Sequence, residues 1–405
     1  MKVLSAVFAV LFLAACTARD ARLATAVTDT LSGGIVRVTS SGPTGWADTN
    51  GWRLVELPAI QPAQGAPGEL IDPSSIAVDN LGRLYVADQK PVVIKVFDAA
   101  GTLVRSIGRE GDGPGEFRSA FIAIRGNRLM VHDPAAQRTS FFDTSGTFVR
   151  GFHSVGMYWA PVALDAAGRA VLPMIYVTRS PADAGRRRTF YRARFDSLGN
   201  LIDTLWVPEL TEDHSWRVEK NGLTMMAVDV PFAPHTIDGY GRDSGAVFGA
   251  STDFAIMRSA GHGDTTFIMR RTWTAEPLAD SIRNGAIDAM VQRLKGDRFD
   301  EVTLRDAFHL SDIPSTKPSF SQLVVDDKGN TWAQRMSDNG RTEFDVFGPS
   351  GAWLGPVTLP AAPLGYAPLV ISHGVMYVAL EDENGFPVIR RWAVRGGQDG
   401  HGGQE

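Results

Sequence analysis

Histidine is the residue type in this sequence whose chemistry, metal binding or proton transfer, would be easiest to recognise from its spacing. The chain contains eight histidines: His132, His153, His214, His235, His262, His309, His373 and His401. A catalytic zinc is usually held by three protein ligands with one coordination position left open. The intervals between these histidines are irregular, and no Gly-x-Ser-x-Gly elbow is present. The sequence therefore identifies no catalytic residue and implies no cofactor, and it leaves open whether a metal is bound.

A second group of candidate ligands lies in the segment 207–234. Glu209, Glu212, Asp213 and His214 fall within six positions of it. Carboxylates and histidine can hold a metal ion together. Polar residues this close together in a loop also form an ordinary solvated surface, and we favour that interpretation.

The only cysteine, Cys16, follows an apolar run from Val3 to Leu13 and the small residues Ala14 and Ala15. This pattern predicts a signal peptide over residues 1–15. The run is shorter than the roughly 20 residues that a membrane-spanning helix needs. We therefore expect export without a transmembrane helix.

The segment Leu13-Ala14-Ala15-Cys16 resembles the lipobox of bacterial lipoproteins. The resemblance implies cleavage before Cys16 and lipid attachment to it, so that the membrane becomes a partner through the lipidated N-terminus. The alternative is an ordinary secretory signal with an incidental cysteine. Thr17 stands where Gram-negative lipoproteins retained at the inner membrane tend to carry aspartate, which implies the outer membrane, facing the periplasm or the cell surface. Residues 16–34 are rich in Ala and Thr and predict a flexible tether.

The strands that would position any functional site can be predicted from an internal repeat in the sequence. Leu84-Tyr85-Val86-Ala87-Asp88 and Val96-Phe97-Asp98 match Leu129-Met130-Val131-His132-Asp133 and Phe141-Phe142-Asp143 at a constant offset of 45 residues. Apolar runs of about five residues alternate with turns of the form Asp-x-x-Gly, as in Asp79/Gly82 and Asp98/Gly101. A period near 45 with short strands is typical of propeller blades of four antiparallel strands. In the first unit, we predict strands at 74–79, 83–88, 92–98 and 102–107.

Residues 108–117, Gly-Arg-Glu-Gly-Asp-Gly-Pro-Gly-Glu-Phe, and the Leu-Tyr-Val-Ala-Asp segment resemble the NHL-type repeat. This family builds six-bladed β-propellers in bacterial envelopes. The resemblance implies an all-β propeller lipoprotein. It is specific for the first two blades and weaker for the others.

The remaining blades are predicted from strand patterns alone. Blade three is expected at 159–165, 169–176, 190–196 and 200–206 with an insertion at 179–189, and blade four at 235–240, 246–250, 253–259 and 264–271. Blade five is expected at 319–326, 330–336, 342–347 and 352–359. Blade six shows three strands, near 367–372, 374–380 and 387–394. We expect Trp52 to Leu57 to supply its fourth strand, closing one propeller domain over 35–396, with a disordered tail at 397–405.

Between blades four and five, apolar residues recur at three- and four-residue spacing from Leu278 to Leu294, which predicts an amphipathic helix over 277–295. Thr274 is the expected N-cap, and a second short helix is expected between Asp300 and Phe308. The apolar face is expected to pack on one end of the propeller. The alternative is a docking helix for a partner.

The charge pattern argues against a nucleic-acid partner. The chain carries 40 Lys and Arg against 45 Asp and Glu, without a long run of one sign. The favoured function is a lipid-anchored envelope module that binds a protein or envelope ligand through its loop-rich end and central channel. The alternative is a metal-dependent lyase or hydrolase with a site in the channel, near which His132 and His235 could lie. Amidating lyases are enzymes with such a propeller, and their repeat motif contains a histidine. This sequence has no counterpart of that histidine after Asp88 or Asp133. A purely structural spacer is a third possibility.

Overall fold

The computed structural model describes residues 25–42, 51–156, 161–179, 186–206, 214–220, 223–241, 245–259, 264–296, 298–336, 341–361 and 368–396. Within these ranges, the strands form six four-stranded antiparallel blades, one of which carries two further strands at its outer edge. The predicted six-bladed propeller is therefore confirmed. The predicted signal peptide at 1–15, Cys16 and the predicted tail at 397–405 lie outside the described residues.

The N-terminal strands do not form a blade of their own. They are β1 (Thr25–Thr30), β2 (Val36–Ser41) and β3 (Arg53–Ile60). β1 pairs with β2, and β2 adds in parallel to the outermost strand of blade four. The tether predicted over 16–34 is thus wrong in its second half, because Thr25–Thr30 is a strand.

Blades one and two follow the repeat closely. Blade one contains β4 (Pro73–Val78), β5 (Leu84–Gln89), β6 (Val92–Phe97) and β7 (Leu103–Ile107). The short parallel pair β8 (Arg109–Glu110) and β9 (Glu116–Phe117) lies in the connection to blade two. Blade two contains β10 (Phe121–Arg125), β11 (Arg128–Asp133), β12 (Arg138–Asp143) and β13 (Phe148–His153). Alternate side chains of β5, β6 and β11, such as Tyr85, Ile94 and Val131, are buried between the two blades.

Blades three and four depart from the predicted boundaries. Blade three contains β14 (Ala163–Leu164), β15 (Ala170–Arg179), β16 (Arg186–Phe195) and β17 (Leu201–Trp206). The insertion predicted at 179–189 is wrong for Arg179 and for residues 186–189, because β15 and β16 pair from Ala170↔Phe195 to Arg179↔Arg186. The segment 207–234 contains the hairpin β18 (Ser215–Lys220) and β19 (Leu223–Asp229) rather than only a loop. Blade four contains β20 (Thr236–Gly241), β21 (Gly245–Ala250), β22 (Ala255–Ser259) and β23 (Thr265–Arg271).

The predicted helices are present between β23 and the next blade. They are α1 (Asp280–Leu294) and α2 (Glu301–Ala307). Thr274 is not the N-cap of α1, because the helix begins after Ala279, which makes no side-chain capping bond. Asp300 caps α2 by accepting a hydrogen bond from the Thr303 N–H at 2.7 Å.

The last two blades close the ring. Blade five contains β24 (Gln322–Val325), β25 (Thr331–Arg335), β26 (Thr342–Phe347) and β27 (Trp353–Leu359). Blade six contains β28 (Leu369–Ser372), β29 (Val375–Glu381) and β30 (Pro387–Arg395). β3 pairs antiparallel with β30 from Arg53↔Arg395 to Ile60↔Ile389, which confirms the predicted borrowed strand. No helix among the described residues is long and apolar enough to cross a membrane.

Candidate binding surface at the insertion end

The two ends of the propeller are built differently. Each blade has one inner strand: β4, β10, β14, β20, β24 and β28. We call the end of the propeller at which these strands begin the insertion end. The connections between successive blades start and finish there, so both long insertions, 207–235 and 272–321, are attached to it. The opposite end holds the turns within each blade that follow the first and third strands.

Short Asp-x-x-Gly turns close much of the opposite end, as predicted. In blade one, Asp79 Oδ1 accepts hydrogen bonds from the Leu81 and Arg83 N–H groups, each at 2.9 Å. Gly82 has a φ of 73°, a conformation that glycine adopts without steric cost. The same aspartate also accepts from the Tyr85 hydroxyl at 3.2 Å, and burial raises the pKa of Tyr85 to about 12. These aspartates therefore have structural partners in the turns.

One insertion precedes blade four in the chain and the other follows it, and the two pack against each other at the insertion end. The Trp216 ring of β18 stacks on Phe308 at 4.6 Å between centroids, and its Nε1–H donates to Asp312 at 2.9 Å. Val291 of α1 and Leu304 of α2 are buried in the same apolar cluster. The apolar face of the predicted helix thus packs mainly against the hairpin β18–β19 and α2.

A charged network fixes the base of the helical insertion to blade five. Glu276 accepts hydrogen bonds from Lys317 Nζ at 2.9 Å and from Arg335 Nη2 at 2.8 Å. Arg271 pairs with the buried Asp345 at 3.1 Å. Burial raises the pKa of the Asp345 carboxyl, although the positive charge of Arg271 opposes this shift. These contacts hold the insertion in a fixed position on the propeller.

A cleft opens at the insertion end of blade one. Its volume is about 310 Å³, and it is lined by Ala66, Pro67, Glu69, Ile71, Pro91, Val92, Val93, Lys95, Ser106, Arg109 and Glu110. This volume is at the lower limit of typical ligand pockets. Apolar walls from proline and valine side chains stand beside carboxylate and guanidinium groups at the rim. The cleft can therefore take a small apolar group that carries a polar or charged end.

The floor of the cleft is held by a buried ion pair. Lys95 Nζ donates to Asp88 Oδ2 at 2.7 Å and to the carbonyl oxygen of Glu69. The Asp88 carboxylate also accepts the N–H groups of Ile71 and Asp72 at 3.0 and 2.7 Å. Because Lys95 and Asp88 are almost fully buried, breaking this pair would leave an uncompensated charge. The pair therefore fixes the loop before β4, which forms one wall of the cleft.

The histidines that the structure describes do not come together in a metal-binding cluster. His153, His214, His235, His309 and His373 are exposed, while His262 and His401 lie outside the described residues. His132 is fully buried, with Nδ1 at 3.0 Å from the Thr139 hydroxyl, which is in turn 2.7 Å from the Ser154 hydroxyl. Burial lowers the pKa of His132 to about 4, against the opposing charge of Asp133, so the imidazole is neutral at pH 7.

The other candidate metal ligands are only partly described. Glu209, Glu212 and Asp213 lie outside the described residues, and His214 is exposed just before β18. Within the described ranges, no three His, Cys, Asp or Glu side chains are close enough together to hold a metal ion. The metal site considered from the sequence therefore stays a hypothesis, as does lipid attachment at Cys16.

Sequence reasoning did not identify the cleft. The signal that could have indicated it is Lys95, the one charged residue in the apolar strand Val92–Phe97. A lysine is almost never fully buried unless it is paired, so its position predicts a nearby carboxylate. The sequence shows Asp88 only as the last residue of a strand segment that repeats in blade two, and does not show it as the partner of Lys95. The loop that lines the cleft repeats in blade two, where Pro114-Gly115-Glu116-Phe117 matches Pro67-Gly68-Glu69-Leu70, so its sequence marks it as part of the repeat and not as a binding element.

The fold can be compared with known proteins. No family model and no curated protein matches the chain. Among solved structures, a protein from Bacteroides fragilis named as exported has 15% sequence identity and a TM-score of 0.51, over 89% of this chain and 99% of that one. A member of the DUF4221 family from Bacteroides vulgatus has 10% identity and a TM-score of 0.47, over 86% of this chain and 99% of that one. A virginiamycin B lyase from Staphylococcus aureus has 11% identity and a TM-score of 0.40, over 85% and 99%. The likeness is one of fold.

Proposed function

We propose that this protein is a lipid-anchored binding module of the bacterial cell envelope. In this proposal, lipids on Cys16 hold an NHL-type propeller at the outer membrane, and the insertion end takes a protein or another envelope ligand. The binding role rests on one observation: the two ends of the propeller are built differently. Both long insertions and the cleft belong to one end, while short turns close much of the other.

The anchor is supported by the N-terminal sequence. The apolar run from Val3 to Leu13 ends in Ala14-Ala15 directly before Cys16. Several acyl chains on one cysteine bind a bilayer far more firmly than a single chain does. The name of the similar B. fragilis protein, an exported protein, agrees with a location outside the cytoplasm.

The binding role is supported by the way the insertion end is built. A rigid propeller scaffold holds its loops in fixed relative positions, which suits recognition. The cleft at blade one combines apolar walls with charged groups of both signs, a composition typical of ligand sites. Its floor is fixed by the Lys95–Asp88 pair, so little conformational entropy would be lost when a ligand binds.

The anchor is tested by producing the full chain in a Gram-negative bacterium and measuring the intact mass and membrane location of the product. We expect cleavage before Cys16, the added mass of the lipids, and flotation with the outer membrane. The Cys16→Ala chain should remain unprocessed or lose the lipid mass. An unmodified Cys16 in a protein that is released from membranes would contradict the proposal.

The binding site is tested by photo-crosslinking in intact cells. A photoreactive phenylalanine analogue at Arg109, on the rim of the cleft, should give a discrete adduct, because the Arg109 side chain is 80% exposed. The same analogue at Leu81, 75% exposed at the opposite end of the same blade, is the matched control and should give none. Val93→Trp fills the cleft and should weaken the Arg109 adduct, whereas Leu81→Trp should not. An adduct at Leu81 alone, or one that Val93→Trp leaves unchanged, would place binding elsewhere.

A further inference from the structure

The N-terminal hairpin determines where the chain leaves the propeller. β23 is the fourth strand of its blade and therefore ends at the insertion end. β2 runs parallel to β23, and β1 runs antiparallel to β2 with Thr25 opposite Ser41. Thr25 consequently lies at the insertion end, on the outer side of blade four.

The distance that the preceding chain can cover is limited. Cys16 and Thr25 are nine residues apart. Whatever their conformation, nine residues span at most about 30 Å. To reach a bilayer beneath the opposite end, this segment would first have to run back along the height of β1, roughly 20 Å for six residues. Only about 10 Å of the segment's reach would then remain to connect the protein to the bilayer, so an orientation with the opposite end on the membrane is unfavourable.

The helical insertion leaves the propeller beside the β1–β2 hairpin, because the Thr272 N–H donates to the Ser40 carbonyl oxygen at 3.0 Å, and both insertions carry exposed apolar side chains. Val302 on α2 is 69% exposed, and Leu223 on β19 is 67% exposed. They belong to the two insertions that flank blade four, and the packed cluster around Val291 and Leu304 holds both insertions in place. At the opposite end, Leu81 in blade one is also exposed, as are Leu198 and Leu201 in blade three, but the β1–β2 hairpin does not bring Thr25 to that end.

We propose that the blade-four side of the insertion end rests on the lipid bilayer in which Cys16 is anchored, with the two insertions as the contact surface. This inference rests on the proposed lipidation of Cys16. It also refines the binding role, because blade one stands across the ring from blade four. The cleft then lies at the insertion end but away from the point of anchorage, open to a ligand at the membrane surface.

The experiment uses the full-length lipidated protein in vesicles of phosphatidylethanolamine and phosphatidylglycerol. Lipidation consumes the Cys16 sulfur, and the chain has no other cysteine. A fluorophore on Val302→Cys or Leu223→Cys is therefore uniquely placed, and Leu81→Cys and Leu198→Cys are the matched controls. Nitroxide-labelled lipid headgroups should quench the first pair at least about twofold more strongly than the second, because interfacial side chains lie within about 5–10 Å of the headgroups.

The outcomes separate the two proposals. Equal quenching at both ends, stronger quenching at Leu81 and Leu198, or no quenching at any position would overturn the orientation while leaving the anchor intact, provided that the protein floats with the vesicles. Failure to float, together with a mass that lacks lipid, would overturn the anchor and the orientation with it.

Discussion

His132 shows what a single buried group contributes. Its Nδ1 contacts the Thr139 hydroxyl, while its buried Nε2 has no hydrogen-bond partner among the described residues. A Cβ added at Gly156 would lie 2.3 Å from Nε2, so the backbone of Gly156 closes over the ring. On β11, His132 shares a face with Met130, which packs against Leu172 of blade three. The ring is therefore buried as a neutral imidazole on the face of β11 that packs towards blade three.

This burial predicts a pH dependence of stability. The pKa of His132 is about 4 in the folded protein and 6.5 for an ordinary histidine, so the unfolded chain binds the proton first as pH falls. The free energy of unfolding should therefore be highest above pH 6.5 and should fall by up to about 3 kcal/mol towards pH 4. Urea unfolding at a series of pH values measures this slope.

Substitution separates this contribution from that of other titrating groups. His132→Gln should flatten the slope between pH 6.5 and pH 4, because the group that binds the proton is gone. His153→Gln replaces a histidine whose side chain is exposed and serves as the matched control. A slope that is identical in the wild type and in His132→Gln would show that burial of this ring is not the cause.

At the scale of elements, the inner strands of neighbouring blades approach closely enough to require glycine. A Cβ added at Gly239 on β20 would lie 2.6 Å from the carbonyl oxygen of Leu323 on β24. This neighbour is backbone and cannot rotate away. Gly239→Ala should therefore lower the free energy of unfolding by about 1–3 kcal/mol.

The helical insertion offers a control for this substitution. Gly285 lies within α1, and a Cβ there would meet nothing within 4 Å. Gly285→Ala should raise stability by up to about 1 kcal/mol, because alanine has the higher helix propensity. Equilibrium unfolding of both variants measures the two effects. A Gly239→Ala protein as stable as the wild type would mean that the two inner strands can separate without cost.

The sequence predicted elements well where structure is local and poorly where it depends on distant segments. The Asp-x-x-Gly turns and the strands of blades one, two and five follow from residue patterns a few positions long. The hairpin β18–β19 could not be predicted as a packing partner of the helices, because Trp216 and Phe308 meet across 92 positions of the chain. The cleft likewise depends on the loop before β4 meeting strand β6, and burial of His132 depends on the neighbouring blade.

At the scale of the whole molecule, closure depends on a strand from the N-terminal side. β3 pairs along β30 and buries Ile60, while Trp52 lies 5.7 Å from Trp332 between ring centroids. Arg391 on β30 donates to the carbonyl oxygens of Pro58 and Ala99, each at 2.7 Å, and so joins blade six to blade one. Closure therefore links the two halves of the chain and covers the edge of β30.

Shortening the chain tests how much this closure contributes. A protein that begins at residue 61 lacks β3, so it loses the burial of Ile60, worth about 2–5 kcal/mol, and exposes an unpaired strand edge. We expect its melting temperature to fall by at least about 5 °C and the protein to self-associate. The control begins at residue 51, which removes β1 and β2 from the outside of blade four but keeps β3. This control uncovers the edge of β23 and loses the bond from the Trp353 N–H to Ser40 Oγ at 2.9 Å, but it leaves the ring closed, so it should be destabilised and self-associate less than the chain that begins at residue 61. Calorimetry measures the melting temperature of each chain, and light scattering measures the mass of the particles that it forms in solution. Equal melting temperatures and equal masses would show that the ring is stable without its borrowed strand.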